Sequence, residues 1–219
     1  MRNILEIYEQ YKIMPNLAMH QLRVASVTKI ILENLDDAII LDKNKIITAA
    51  LFHDMGNIIK FKLGVFPGFV KPLGLEYWQN IQNEYFAKYG YDEHKATSII
   101  AKEIGVSEEI IKLLEEFGDH GEFCNQALES DEFEKKIVNY ADVRVGPYGI
   151  LSYHERMSDV KRRYENTKFL DTKESFETLL ACGKEIERQI FANCKIKPED
   201  VNDTTIAPIL EELKGYMIK

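Results

Sequence analysis

The stretch Ala49-Ala50-Leu51-Phe52-His53-Asp54-Met55-Gly56 is apolar for four residues and then sets an imidazole beside a carboxylate. Successive residues of a helix lie about 100° apart, so both side chains can reach one point from an inward face. Burying these two groups among apolar neighbours is costly unless something balances the charge. A divalent cation would do so. A His-Asp dipeptide alone is weak evidence, because such pairs arise by chance. The apolar setting gives this one its weight.

Further ligands would come from other helices, as in metal sites built inside helical bundles. His20 stands three residues after Leu17 and four before Val24, on the apolar stripe of its own segment. Asp142 follows Val138 by four residues and precedes Val145 by three, so it shares a helical face with apolar neighbours. A lone histidine in such a place is more often a hydrogen-bonded core residue than a ligand. Weight attaches to His20, His53, Asp54 and Asp142 taken together.

Working outward, apolar residues recur at helical spacing nearly everywhere, and no segment alternates as a strand would. Leu17, Val24, Val27, Ile31 and Leu35 form one stripe. Asp42 is placed to cap a second helix that runs through Ile46 and His53 to about Asn57. Residues 61–74 hold three glycines, two prolines and three phenylalanines and read as an aromatic loop. With Tyr77 and Trp78 that loop is either a lid over a pocket or an ordinary packed loop. A helix through Trp78 and Tyr85 ends near Gly90, and Asp92 caps the next, which Gly105 closes. Ser107 caps a helix to Phe117, and further helices are expected at 129–145, 149–165, 173–193 and 203–214. Gly146-Pro147 stops the first of these.

The chain has 219 residues, 45% of them hydrophobic and 29% charged, an ordinary globular balance. Its formal net charge of -8, with no long basic run, argues against nucleic-acid binding. A small phosphorylated substrate stays admissible, since a few local cations or a metal ion can hold one. Cys124, Cys182 and Cys194 form no C-x-x-C pair, which speaks against a disulfide framework or zinc knuckle and for a reducing compartment. Met1-Arg2-Asn3-Ile4-Leu5-Glu6 lacks the apolar core of a signal peptide. No stretch approaches the roughly 20 apolar residues of a membrane span. A soluble, cytoplasmic protein is expected.

In order, His20, the pair His53-Asp54 and the distant Asp142 resemble the signature of the HD-domain superfamily. The flanks His20-Gln21-Leu22-Arg23-Val24-Ala25 and Leu51-Phe52-His53-Asp54-Met55-Gly56 are similar to its first two motifs. The likeness covers about residues 15 to 145. It implies an all-α, HD-domain-like helical bundle with a metal site between core helices. The whole chain, 1–219, would be one such domain, with helices in 149–219 packed on the motif-bearing core. The ligands would be His20, His53, Asp54 and Asp142.

His94, and His120 in Phe117-Gly118-Asp119-His120-Gly121, resemble the extra histidines of the two-metal branch. That likeness implies a second ion held by Asp54, His94 and His120, with Asp54 bridging. The plain alternative is an exposed His94 and a His120 that ends a helix. Imidazole and carboxylate donors suit iron, manganese, cobalt, nickel or zinc better than calcium, with magnesium also admissible. Such a site activates water and clamps the oxygens of an in-line displacement, which phosphoester hydrolysis requires.

His53, Asp54 and Arg23, one turn beyond His20, are the expected catalytic residues. Arg144, His154 and Arg156 are candidates for holding a phosphate, whereas Lys161-Arg162-Arg163 reads as a solvated helix face. Many two-metal members carry a lysine that contacts substrate where this chain has Asn57, which weakens a cyclic-dinucleotide phosphodiesterase or inositol-oxygenase reading. The expectation is a metal-dependent phosphohydrolase acting on a nucleotide or other small phosphoester. The alternatives are a mixed-valent diiron oxygenase and a non-catalytic nucleotide-binding or signalling module.

Overall fold

The computed structural model describes residues 1–65, 67–117, 133–164 and 173–218, with side chains except at 163, 164 and 173–175. Ten α-helices and one pair of two-residue strands lie among the described residues, so the all-α expectation holds. The chain forms two compact units. The first joins Met1–Leu22, Asn44–Gly118 and Glu211–Lys219, and the second joins Arg23–Lys43 and Asp119–Leu210.

In the first unit, β1 (Arg2–Asn3) pairs antiparallel with β2 (Met217–Ile218), Arg2 opposite Ile218. Asn3 then caps α1 (Ile4–Gln10), accepting from the Leu5 N–H while Glu6 reaches back to the Asn3 N–H. α2 (Pro15–Glu33) opens on a proline, where the missing N–H costs nothing, and belongs to this unit as far as Leu22. α3 (Lys43–Phe52) follows directly on Asp42. Every residue of α3 from Ile46 to Phe52 is buried, and burial of side chains such as Ile46, Leu51 and Phe52 contributes about 1.5–3 kcal/mol each. Tyr8 of α1 donates its hydroxyl to the Leu51 carbonyl at 2.6 Å, which ties the end of α3 to α1.

A 3-10 turn, Asn57–Lys60, comes next, then α4 (Leu75–Tyr89), α5 (Glu93–Ile104) and α6 (Glu108–Glu115). The expected caps are present. Asp92 accepts from the His94 and Lys95 N–H groups, and those bonds hold its carboxyl below the usual carboxylate range. Gly105 closes α5 at φ 87°, where a side chain would be strained, and Ser107 accepts from the Ile110 N–H to start α6. α5 packs on α4, on α6 and on the 57–60 turn. In the loop before α4, Leu63 and Val70 are buried and line a small recess with Met14 and Phe61, whereas Val65 and Leu73 are exposed. Trp78 is core, with Tyr77 edge-on to it at 5.1 Å.

The second unit takes the rest of α2, where Val24, Val27 and Ile31 are buried as their spacing predicts, and Leu35 just beyond it is buried too. It also holds α7 (Phe133–Arg144), α8 (Tyr153–Tyr164), α9 (Lys173–Phe191) and most of α10 (Asp203–Lys214). α7, α8 and α9 pack against one another. The expected helix at 129–145 is described from Phe133, its earlier residues lying outside the described ones. Cys194 is a free thiol. Among the described residues no helix is long and apolar enough to cross a membrane.

Candidate metal centre

The helix expected to run through His53 to Asn57 stops at Phe52, and its ending builds the site. In a continuing helix the Ala50 carbonyl would accept the Asp54 N–H. Instead it lies 2.8 Å from the His53 ring Nδ1. The Asp54 N–H is given to the side-chain oxygen of Gln21 on α2, at 3.3 Å. His53 and Asp54 therefore sit on a tight turn, where their side chains are not fixed at the helical angle.

That turn brings three of the expected residues together. Nε2 of His20 and Nε2 of His53 each lie 3.6 Å from Asp54 Oδ2. The two imidazole rings are 5.4 Å apart between centroids and tilted by 53°. A ligand nitrogen of each lies within 4.8 Å of the other's. All three side chains are largely shielded, His53 most of all. A carbonyl can only accept, so Nδ1 of His53 carries the proton and Nε2 the lone pair, the tautomer in which a histidine ligates through Nε2. Two imidazoles and a carboxylate turned to one point fit a divalent transition ion by donor type.

Gly56 is required two residues on. Its N–H donates to the Thr97 hydroxyl at 2.9 Å, and that hydroxyl donates to the Glu93 carbonyl. A Cβ at Gly56 would lie 2.3 Å from the Glu93 carbonyl oxygen and 2.7 Å from the Ala96 Cβ. α5 thus seats directly on the turn. Gln82 of α4 donates to the carbonyls of Ile58 and Phe61 at 2.7 and 2.9 Å and holds the turn from the other direction. Asn57 is buried, and its Oδ1 has no hydrogen-bond partner among the described residues.

The remaining expected residues are placed as follows. His94 is in the first turn of α5, 46% exposed in its side chain, with Nε2 3.6 Å from Glu93 Oε1. His120 lies outside the described residues, so the second set of Asp54, His94 and His120 is not assembled by the described ones. In the second unit, Arg23 is half-buried on α2 and Asp142 half-buried near the end of α7. Arg144 is 2% exposed. Its guanidinium donates to the Tyr140 hydroxyl, the Leu151 carbonyl and, at 2.8 Å, the Val201 carbonyl. Those bonds occupy it in fastening the 198–201 segment, a use that differs from holding a phosphate. Tyr140 donates in turn to Glu187 at 2.5 Å. His154 is exposed on α8, and Arg156 pairs with Asp159 at 3.3 Å.

Gln21, Thr97 and Gln82 did not stand out in the sequence. Gln21 had a signal: a polar residue four after Leu17 and three before Val24, beside His20 on a stripe whose other members are apolar. Thr97 and Gln82 had none, because each acts through backbone groups distant in the chain.

A helical protein that turns two histidines and an aspartate to one point belongs to the histidine–aspartate metal-binding class. The family model of the HD domain matches residues 17–144, more than half of the chain, and the chain belongs to the HD domain family. As a family, HD domains are metal-dependent phosphohydrolases that bind divalent ions. No curated protein and no solved structure matches the chain.

Proposed function

We propose that the chain is a metal-dependent phosphohydrolase that cleaves a nucleotide or another small phosphoester. The observation that carries this reading is the convergence of His20, His53 and Asp54, with the His53 lone pair on Nε2. Asp142 is proposed as the remaining ligand. It is a carboxylate on a helix whose neighbours Val138 and Ala141 are buried, and it falls inside the family match. An ion held by these residues would supply the lowered water pKa that makes hydroxide available near neutral pH.

The chain's own groups do the rest. The Ala50 carbonyl fixes the His53 tautomer, and Gln21 fixes the backbone at Asp54. Asp54 Oδ2, between the two imidazoles, would help hold that ion, and the proton of the attacking water would pass through solvent to the leaving oxygen. Water oxygen bonds to phosphorus as the bond to the leaving oxygen breaks. Arg23 balances charge on the transferred phosphoryl group.

The test is the Asp54→Ala variant, assayed for hydrolysis of a panel of nucleotides and simple phosphoesters. Metal content and far-ultraviolet circular dichroism are measured beside it. Loss of both metal and hydrolysis with the helical signal kept is expected. Activity retained without Asp54 would overturn the assignment.

A further inference from the structure

Between α8 and α9, within the second unit, is a cavity of about 360 Å³. That lies at the small end of the range for ligand pockets, about 300–1,000 Å³. On α8, His154, Ser158, Lys161 and Arg162 share one helical face and rim the cavity. Its floor is apolar: Met157 is buried, and Phe176 and Leu180 of α9 pack on the cluster that Met157 forms with Tyr153 and Val160. The Lys161 ammonium stands over the Phe176 ring at 5.2 Å from the centroid. Asp159 is shared between Arg156 and Arg162 at 3.3 and 2.8 Å, and Glu155, next to His154, accepts from Ser152. Among the described residues no carboxylate pairs with Lys161 or with His154. In a chain of net charge -8, this rim is a local exception.

We infer that this cavity is a binding site for a small anion with an apolar tail, its head met by Lys161, Arg162 and His154 and its tail lying on Met157, Phe176 and Leu180. A bare anion would leave the floor wet, and a neutral apolar molecule would leave Lys161 facing it without a carboxylate partner among the described residues. A molecule with both parts satisfies both surfaces. No rim residue belongs to the His20, His53 and Asp54 cluster, so the inference does not depend on the reaction proposed there.

Hexanesulfonate is a suitable probe, because it carries an oxyanion and a six-carbon tail and cannot be hydrolysed at a phosphoester centre. Calorimetric titration of the full metal-loaded chain should show one equivalent bound, at least about tenfold tighter than methanesulfonate, while 1-hexanol shows no saturable binding. Lys161→Gln, an exposed change with little effect on folding, should weaken hexanesulfonate about fivefold, and Phe176→Ala should weaken it by a similar factor. Asp54→Ala should leave it unchanged. Equal affinity for hexanesulfonate and methanesulfonate, or no effect of Lys161→Gln, would overturn the inference. Binding lost in Asp54→Ala would also overturn it, by placing the ligand at the metal centre instead.

Discussion

His53 Nδ1 lies 2.8 Å from the carbonyl oxygen of Ala50, three residues earlier in the chain. The bond uses the acceptor that would have extended α3, so one contact both ends the helix and selects the tautomer. It predicts that neutral His53 is the Nδ1–H form, with Nε2 unprotonated. Long-range proton–nitrogen correlation of the ring, recorded on metal-free protein well above the ordinary imidazole range of about 6.5, reads this directly. An Nε2–H signature would mean that the ring is turned the other way and cannot ligate as described.

Gln21 is fully buried, with its oxygen on the Asp54 N–H and its Nε2 without a hydrogen-bond partner among the described residues. Gln21→Leu removes the acceptor that orients Asp54, and with it an unsatisfied buried donor. Those changes oppose each other, each worth about 1–3 kcal/mol, so the melting temperature should shift little. Metal affinity should fall about tenfold, as when a group behind a ligand is lost. Titration with manganese or zinc, beside a thermal melt, separates the two. Unchanged affinity would show that Asp54 holds its place without Gln21.

The legible part of this protein was its local chemistry. Asp92, Gly105 and Ser107 announced helix ends by residue type, and Leu17, Val24, Val27 and Ile31 announced a buried stripe by spacing. His20, His53 and Asp54 were legible as a set because each interrupts an apolar pattern. The stop of α3 at Phe52 was not. It depends on a side chain 33 residues away competing for one N–H, and no periodicity in the Ala49–Gly56 stretch carries that. The use of Arg144 was hidden in the same way: its partners Pro198 and Val201 present backbone carbonyls, which look alike in every sequence.

Gly56 predicts a sharp steric effect. Its missing Cβ is the space that α5 occupies, and the nearest atom, at 2.3 Å, is a backbone oxygen that cannot swing aside. Gly56→Ala must push α5 off the turn or strain the turn, and overpacking of this sort typically costs about 1–3 kcal/mol, occasionally more. Chemical denaturation should show that loss, together with weaker metal binding, because the displaced turn carries Asp54. Stability equal to the parent would mean that α5 sits farther from the turn than described.

Cys194 supplies a prediction in pH. It is half-buried where Asp36 and Lys195 exchange backbone hydrogen bonds with Asn193 and Asn34, each at 2.7 Å, and burial pushes its thiol up to about 11. Only the thiolate alkylates. At pH 8 a shift from the ordinary value of about 8.5 cuts the thiolate fraction roughly two-hundredfold. The more basic thiolate is intrinsically more nucleophilic, which returns about a factor of ten, leaving about a twentyfold slowing. Iodoacetamide labelling, with the Cys194 peptide followed by mass spectrometry, should therefore be slow at pH 8 and still accelerating at pH 10. The same shift has a defined sign for stability. Between about 8.5 and 11 the unfolded chain has released a proton that the folded chain keeps, so this group's contribution to stability is level below that window and declines as pH rises through it. A labelling rate that levels off near pH 8.5 would show an ordinary exposed thiol and would mean that the 34–36 and 193–195 segments do not enclose it.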